Sequence, residues 1–335
     1  MHHAARVRTL EAVVRWYLRE YHRTRRDLGG SQMFCDRTRM GHFAVAPAAF
    51  RAGRPAALFK MLVATTLFQR RRDQHVFRIL GGLTRLQVDG LTRPQALLTE
   101  VARCPCAFTK TSEALHSECD LAKDPRTKRG TCSRAPSVGC PAKEHTRLLR
   151  RYGDFGKMPS SAALMLRDEG VRDLAHLRRQ VLRQADEPAA RAALLEGAVT
   201  RVWRVSNKVA AMFLSAVANP DLGHLPGPWS SGIDWTRYVV VDSNVDHFLD
   251  GLSYRWTASY GARLEVIRKL ARDVPLDKMQ PGLHTFNPRL VQQAMYMFMS
   301  ESNRRANPED CMHMGGDACR ACPRDLSRLC PVASR

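Results

Sequence analysis

The chain is predicted to be all-α, and three observations carry that expectation. Apolar residues recur at helical spacing through most of its 335 residues. Prolines and glycines stand at the edges of these patterns, where helices start and stop. The only strand-like run, Tyr238-Val239-Val240-Val241, is too short to build a sheet.

Leu10, Val13, Val14, Trp16, Tyr17 and Tyr21 form the stripe of a first helix. Pro55 opens a second pattern through Leu58, Met61, Leu62, Leu67, Val76 and Ile79, which Gly81-Gly82 ends. Thr92-Arg93-Pro94 starts a third, because the fixed φ of proline and its missing N–H suit a first helical turn. Further helices are predicted over 159–168, 173–185, 188–200, 207–218, 243–251, 259–272 and 287–303. Two stretches break this rhythm and read as insertions between helices. Residues 104–147 are rich in Cys, Lys, Arg, Pro and Ser, and residues 219–237 in Pro and Gly. From Asn307 onward the chain is Cys-rich with little core potential, and no internal repeat is present.

The apolar share of 44% is enough to bury a sizeable core in one large domain or two ordinary ones. Fifty-three Lys and Arg against 32 Asp and Glu give a net charge of +21. Such a surface gains affinity for a polyanion by releasing its counterions, so nucleic acid is the first partner class and an acidic membrane surface the second. The plainer reading is a genome that favours Arg codons. The longest apolar stretch, Ala56 to Phe68, is broken by Lys60, and a span needs ~18 unbroken residues. No membrane partner is expected. The opening MHHAARVRTL lacks the apolar core of a signal peptide. A cytoplasmic monomer is expected, nucleoid-associated through DNA. There, ten cysteines argue for metal ligation over disulfides.

Cys311, Cys319, Cys322 and Cys330 are separated by seven, two and seven residues. The close pair can bite one metal centre from a single turn, and the outer two close the coordination. Four thiolates suit zinc or a four-iron cluster, and ligation supplies folding energy to a loop that lacks a core. His313, beside the first cysteine, could substitute for one ligand. The plain alternative is four reduced structural thiols. A helix from Leu290 to Ser302 and the lead-in RRANPED precede the set. This arrangement resembles the end of the endonuclease III and adenine glycosylase group of the helix–hairpin–helix DNA glycosylase superfamily. The resemblance implies a [4Fe–4S] cluster, with zinc as the alternative. The gaps here are somewhat wider than the family's.

The resemblance extends upstream. Val205-Ser206-Asn207-Lys208-Val209-Ala210-Ala211 precedes an apolar helix, and Val239-Val240-Val241-Asp242-Ser243-Asn244-Val245 follows later. These are similar to the family's hairpin with its lysine-bearing helix and to its catalytic aspartate segment. The lysine stretch looks most like that of the oxoguanine glycosylase branch. The resemblance implies Lys208 as the nucleophile at the sugar C1′, through a Schiff base, and Asp242 as the catalytic carboxylate. Base departure builds positive charge on the sugar, which a carboxylate stabilises, and an amine must shed a proton before it attacks. A helix N-terminus at Asp242 is expected to lower its pKa. The plain alternatives are an N-cap at Asp242 and a solvated or phosphate-contacting Lys208. Asp246, on the same helix face, is a rival carboxylate and Asp234 a weaker one. The family's hairpin carries two glycines. Here Arg204-Val205-Ser206 stands instead, and the Arg204 charge replaces amide contacts to phosphate.

Residues 58–80 resemble the family's first long helix pair, where a polar residue fills the hole left by a flipped base. Phe68-Gln69 falls at that place, and Arg70, Arg71 and Arg72 follow as a candidate phosphate stripe. With Arg204, Ser206 and Asn207 these are the candidate DNA contacts. The plain reading is a core Phe68, a solvated Gln69 and a solvated charge run.

Cys104, Cys106, Cys119, Cys132 and Cys140 fall within 37 residues, with His116 and His145 near. They form a candidate second metal site of no familiar spacing. Cys119, Cys132 and Cys140 are the favoured ligands, completed by Cys104 or Cys106. Cys35 is isolated and expected to be a buried thiol.

The expected architecture is a two-lobed helix–hairpin–helix glycosylase-like fold. Residues 1–103 contribute helices to both lobes, 104–147 is the Cys-rich insertion, 148–252 the hairpin core with the catalytic segment, 253–310 the C-terminal helices and 311–335 the cluster loop. The expected activity is a DNA glycosylase, with or without lyase action, acting on double-stranded DNA. The competing expectation is a non-catalytic iron–sulfur or zinc nucleic-acid-binding protein on the same scaffold.

Overall fold

Apolar helix faces gather most of the buried side chains of the described residues into two large cores. The computed structural model describes residues 2–69, 71–104, 106, 110–127, 129–133, 140–150, 153–254, 259–306, 320 and 322–332. Those residues are mostly helical, as the apolar periodicity predicts, and none of their helices is long and apolar enough to cross a membrane.

The first core is built by α2 (Gly30–Phe34), α3 (Arg37–Met40), α4 (Pro47–Arg51), α5 (Pro55–Thr66), α6 (Asp73–Gly81), α7 (Arg85–Thr92), α8 (Pro94–Arg103), α11 (Met158–Asp168), α12 (Leu174–Gln184), α13 (Pro188–Thr200) and α14 (Asn207–Ala218). The second is built by α1 (His3–Glu20), α15 (Ser243–Gly251), α16 (Tyr260–Arg272), α17 (Leu276–Met279) and α18 (Pro288–Met299). Beyond α19 (Glu301–Arg305), α20 (Arg324–Leu329) packs Leu326 and Leu329 against the second core. Proline opens α4, α5, α8, α11, α13 and α18.

Three segments depart from expectation. The pattern from Pro55 to Ile79 is two helices, α5 and α6. Thr65 and Thr66 turn their hydroxyls back onto the carbonyls of Met61 and Val63 at 2.8 and 2.6 Å, and local bonding of this kind competes with helix propagation. The described part of the 104–147 stretch and its continuation hold α9 (Ser112–Ser117), α10 (Pro141–Leu149) and a hairpin of β1 (Ala122–Lys123) and β2 (Gly130–Thr131). Its strands pair antiparallel, Ala122 opposite Thr131 and Lys123 opposite Gly130.

The third departure is residues 219–237, which are no peripheral insertion. Asn219 and Asn287 exchange amide hydrogen bonds at 2.9 and 3.0 Å, and Asn287 also donates to Asp221 at 3.0 Å. The Asp221 carbonyl lies 2.9 Å from His22 Nε2. Asn219, Asp221 and Asn287 are buried, so these bonds offset the desolvation of groups that tie α14, α18 and the end of α1 together.

Tyr238 to Val241 belongs to no helix and pairs with no strand among the described residues. Alternate side chains point opposite ways along extended chain. Here Tyr238 and Val240 enter the first core while Val239 and Val241 enter the second. The segment is therefore apolar on both faces, and it delivers Asp242 to the seam between the cores.

Candidate functional site

Helices α13 and α14 pack together, joined by the turn of residues 201–206. From Val209 onward α14 is apolar and almost wholly buried, which leaves its first turn as the place for polar side chains. Ser206 and Asn207 are exposed there, and Lys208 is half-buried. The Ser206 hydroxyl makes no capping bond, so the first-turn N–H groups keep no side-chain partner and present the positive end of the helix. Arg204 has φ +61°, the left-handed region that glycine adopts without a Cβ penalty of about 1–2 kcal/mol. The turn thus makes its glycine-like bend with a non-glycine residue. The Arg204 guanidinium pairs with Asp154 and sits 5.5 Å over the Trp203 ring, so its charge is already engaged.

A cavity of about 450 Å³ opens where the two cores meet. Lys208 from α14 and Asp242 from the start of α15 both line it. Leu28, Met33, Phe68, Met212 and Val240 supply apolar wall, and Arg71 and Arg72 stand at it. Asp242 is the N-cap of α15 and accepts the Val245 N–H at 3.0 Å. The plain capping role is therefore real, and the same carboxyl faces the cavity. Its pKa was expected to be lowered, and that expectation is corrected. Burial raises it from the ordinary aspartate value, opposed by the Lys208 charge and the Val245 N–H. One backbone donor and a neighbouring cation do not replace the water lost on burial.

The cavity holds residues that the sequence reading missed. Asp73 begins α6 and accepts the Tyr296 hydroxyl at 2.6 Å and the Asn303 amide at 2.8 Å. Its charge adds to the rise at Asp242. Buried Arg289, also at the cavity, donates to Gln292 at 2.6 Å, Gln293 at 2.7 Å and Ser215 at 3.1 Å. Gln293 passes the network on to buried Asp27 at 3.2 Å, which also accepts Tyr17 and Gln32, each at 2.8 Å. A signal was present. Arg289, Gln292, Gln293 and Tyr296 follow the i, i+3, i+4, i+7 spacing, a polar stripe on an otherwise apolar helix. A buried polar stripe needs partners or a ligand.

The rival carboxylates stand elsewhere. Asp246 lies 3.4 Å from Arg263, Asp234 caps the turn at 235–237 by accepting the Thr236 N–H at 3.1 Å, and neither lines the cavity. Phe68 is buried against Phe77, with ring centroids 5.3 Å apart, and still forms cavity wall. Gln69 lines a neighbouring recess with Arg204, Val205, Ser206 and Lys208, so Lys208 borders both spaces. Its amide donates to the Thr66 carbonyl at 2.8 Å. Arg71 donates to the Arg150 carbonyl at 2.6 Å, Arg72 is exposed, and Arg70 lies outside the described residues.

Of the C-terminal set, Cys311, Cys319 and the neighbouring His313 lie outside the described residues. Cys322 and Cys330 bracket α20. The fully buried Arg304 donates to the Cys330 sulfur at 3.1 Å, an arrangement that suits a thiolate ligand. None of Cys104, Cys106, Cys119, Cys132 and Cys140 is in a disulfide. Among the described residues no three His, Cys, Asp or Glu side chains already form a group able to hold a metal ion. His116 lies 2.9 Å from the Ser161 hydroxyl and packs on Trp203. Cys35, expected to be buried, is half-buried; what burial it has pushes its thiol up to about 11.

No family model, curated protein or solved structure matches the chain, so the cavity's own residues carry the functional reading.

Proposed function

We propose that the protein is a helix–hairpin–helix DNA glycosylase that takes a base from double-stranded DNA into this cavity and cleaves its N-glycosidic bond. The observation that carries the reading is the meeting of Lys208 and Asp242, distant in sequence, at one cavity between two helical lobes. A net charge of +21 and the arginines at the cavity mouth support a phosphate backbone as partner. The apolar wall and the amide-lined floor suit a planar heterocycle out of its stack.

In this reading, the Lys208 amine loses its proton and attacks C1′ as the C1′–N bond breaks. The departing base takes up a proton. The Asp242 carboxylate would stabilise the positive charge that develops on the sugar and accept the Lys208 proton. Loss of the base leaves the lysine bound to C1′ of the closed sugar; breaking C1′–O4′, with O4′ taking up a proton, opens it to a Schiff base, from which loss of a C2′ proton and departure of the 3′-phosphate would nick the strand. The uncapped start of α14 and Arg72 would hold phosphates on either side.

Cys311, Cys319, Cys322 and Cys330 would hold a [4Fe–4S] cluster, with Arg304 hydrogen-bonded to one of its thiolates. The cluster would fold and charge the C-terminal surface and take no part in bond cleavage. A brown protein absorbing near ~400 nm is expected, and a colourless one would indicate zinc.

The engaged, non-glycine hairpin at Arg204 favours the competing reading, a scaffold that binds DNA without cutting it. Borohydride trapping on a duplex with an abasic site separates the two. A covalent adduct that Lys208→Ala abolishes supports the enzyme. Trapping at full rate in Lys208→Ala would remove the nucleophile assigned here, and undiminished base release by Asp242→Asn would remove the carboxylate.

A further inference from the structure

The structure gathers four of the five cysteines of 104–140 at the ends of adjoining elements. Cys104 closes α8, Cys119 follows α9, Cys132 follows β2 and Cys140 is the N-cap of α10. Helix α10 packs against both α8 and β2. Cys104 and Cys140 line one cavity, and the Cys106 thiol is hydrogen-bonded to Cys104. Cys106 is also within electrostatic reach of Cys119 and Cys132, and Cys140 within reach of Cys104 and Cys119.

One further observation points to a ligand. His145 is buried on the same cavity, and its Nδ1 has no hydrogen-bond partner. An orphaned buried ring nitrogen costs about 1–3 kcal/mol unless something takes it up.

The fold of the patch needs such a centre. Each strand of its hairpin has two residues, and a hairpin alone is at best marginal in water. Its own apolar cluster is Val101, Leu115 and Leu164, with Leu98 and Cys119 at the edge. Ligation converts binding energy into folding energy where a core is too small.

We propose that this patch is a structural zinc site, separate from the C-terminal cysteines. Cys119, Cys132 and Cys140 are its fixed thiolates, and Cys104 or Cys106 completes the tetrahedron. Each thiol gives its proton to solvent as its sulfur binds. Four sulfur donors within a small irregular segment suit a closed tetrahedral zinc centre, and His145 stands beside it as a reserve donor. As they stand no three of these side chains form a group able to hold the ion, so the sphere would close as the side chains draw inward on binding.

Zinc and iron measured on the full purified chain test this. One zinc per chain is expected besides any iron. Cys119→Ser with Cys140→Ser should lower zinc from one to none and leave the iron and its ~400 nm absorbance unchanged. Cys322→Ser with Cys330→Ser should remove the iron and keep the zinc. Cys104→Ser and Cys106→Ser should each keep zinc, and the two together should lose it. Should the double variants fail to fold, thiol titration of the wild-type chain with a chromogenic zinc indicator replaces them. It should release one zinc as four thiols react. No zinc in the wild-type chain, zinc unaffected by the Cys119 and Cys140 substitutions, or zinc lost only with the C-terminal pair each overturns the proposal. Iron in place of zinc at this patch overturns the choice of metal.

Discussion

Lys208 and Asp242 reach their cavity from helices anchored in two separate cores, whereas the five cysteines of 104–140 come from a stretch with hardly a core of its own. At the cavity, packing comes first and chemistry is placed by it. Val209 to Ala218 of α14 bury their faces whatever Lys208 does, and Val245, Phe248 and Leu249 do the same for Asp242. In the proposed zinc patch ligation would supply the order. The two proposals thus describe two routes to a site in one chain. One is insensitive to ligands and sensitive to core mutations, and the other is the reverse.

The sharpest way to break this contrast is at the lysine. Lys208→Ala should lower base release by about 10²–10⁴-fold, the usual worth of a positioned catalytic group, and leave the melting temperature nearly unchanged. A large loss of stability would mean that Lys208 belongs to the packing. Next, removing zinc with a chelator should speed amide exchange over residues 119–147 by an order of magnitude or more. The amides of α14 and α15 should keep their protection, and loss there would join the two regions into one cooperative unit. Asn287→Ala should cost about 1–3 kcal/mol in urea unfolding, because it strands the buried Asn219 and Asp221 groups.

A subtler effect is expected from Asp242→Asn. Asparagine caps a helix as well as aspartate does, so the cap survives. Burial raises the Asp242 carboxyl in the folded chain, so its contribution to stability is fully present below the unfolded value near 4 and is lost as pH rises through the folded value. The variant should therefore melt a few degrees higher than the wild type at pH 7, and the gap should close toward pH 4. Equal melting temperatures at both would deny the buried charge. The smallest change is expected from Arg72→Ala, which should reduce the slope of log affinity for DNA against log salt by about 0.9.

Much of the framework was legible. The periods that predict helices at 188–200, 207–218 and 243–251 coincide with α13, α14 and α15, because long apolar repeats leave little choice of partner face. Lys208 and Asp242 could be named because the segments around them resemble the lysine and aspartate segments of helix–hairpin–helix glycosylases. Asp73 and Arg289 could not be named so readily. Their place depends on where α6 and α18 cross the seam, which is set by tertiary packing. The role of 219–237 was hidden for a related reason. Pro and Gly announce a turn-rich path, but only the fold decides that Asn219 and Asp221 end up buried. The pKa direction at Asp242 failed likewise, since a helix terminus is visible in sequence and the depth of a cavity is not.

The threading of Tyr238 to Val241 through both cores has a mechanical consequence. Hinging the lobes apart at this seam would drag alternate side chains out of one core or the other, at about 1.5–3 kcal/mol for each valine exposed. The jaw is welded at its pivot. A duplex that docks here would find a mouth of fixed gape, and the bending and unstacking needed to seat a nucleotide would fall on the DNA.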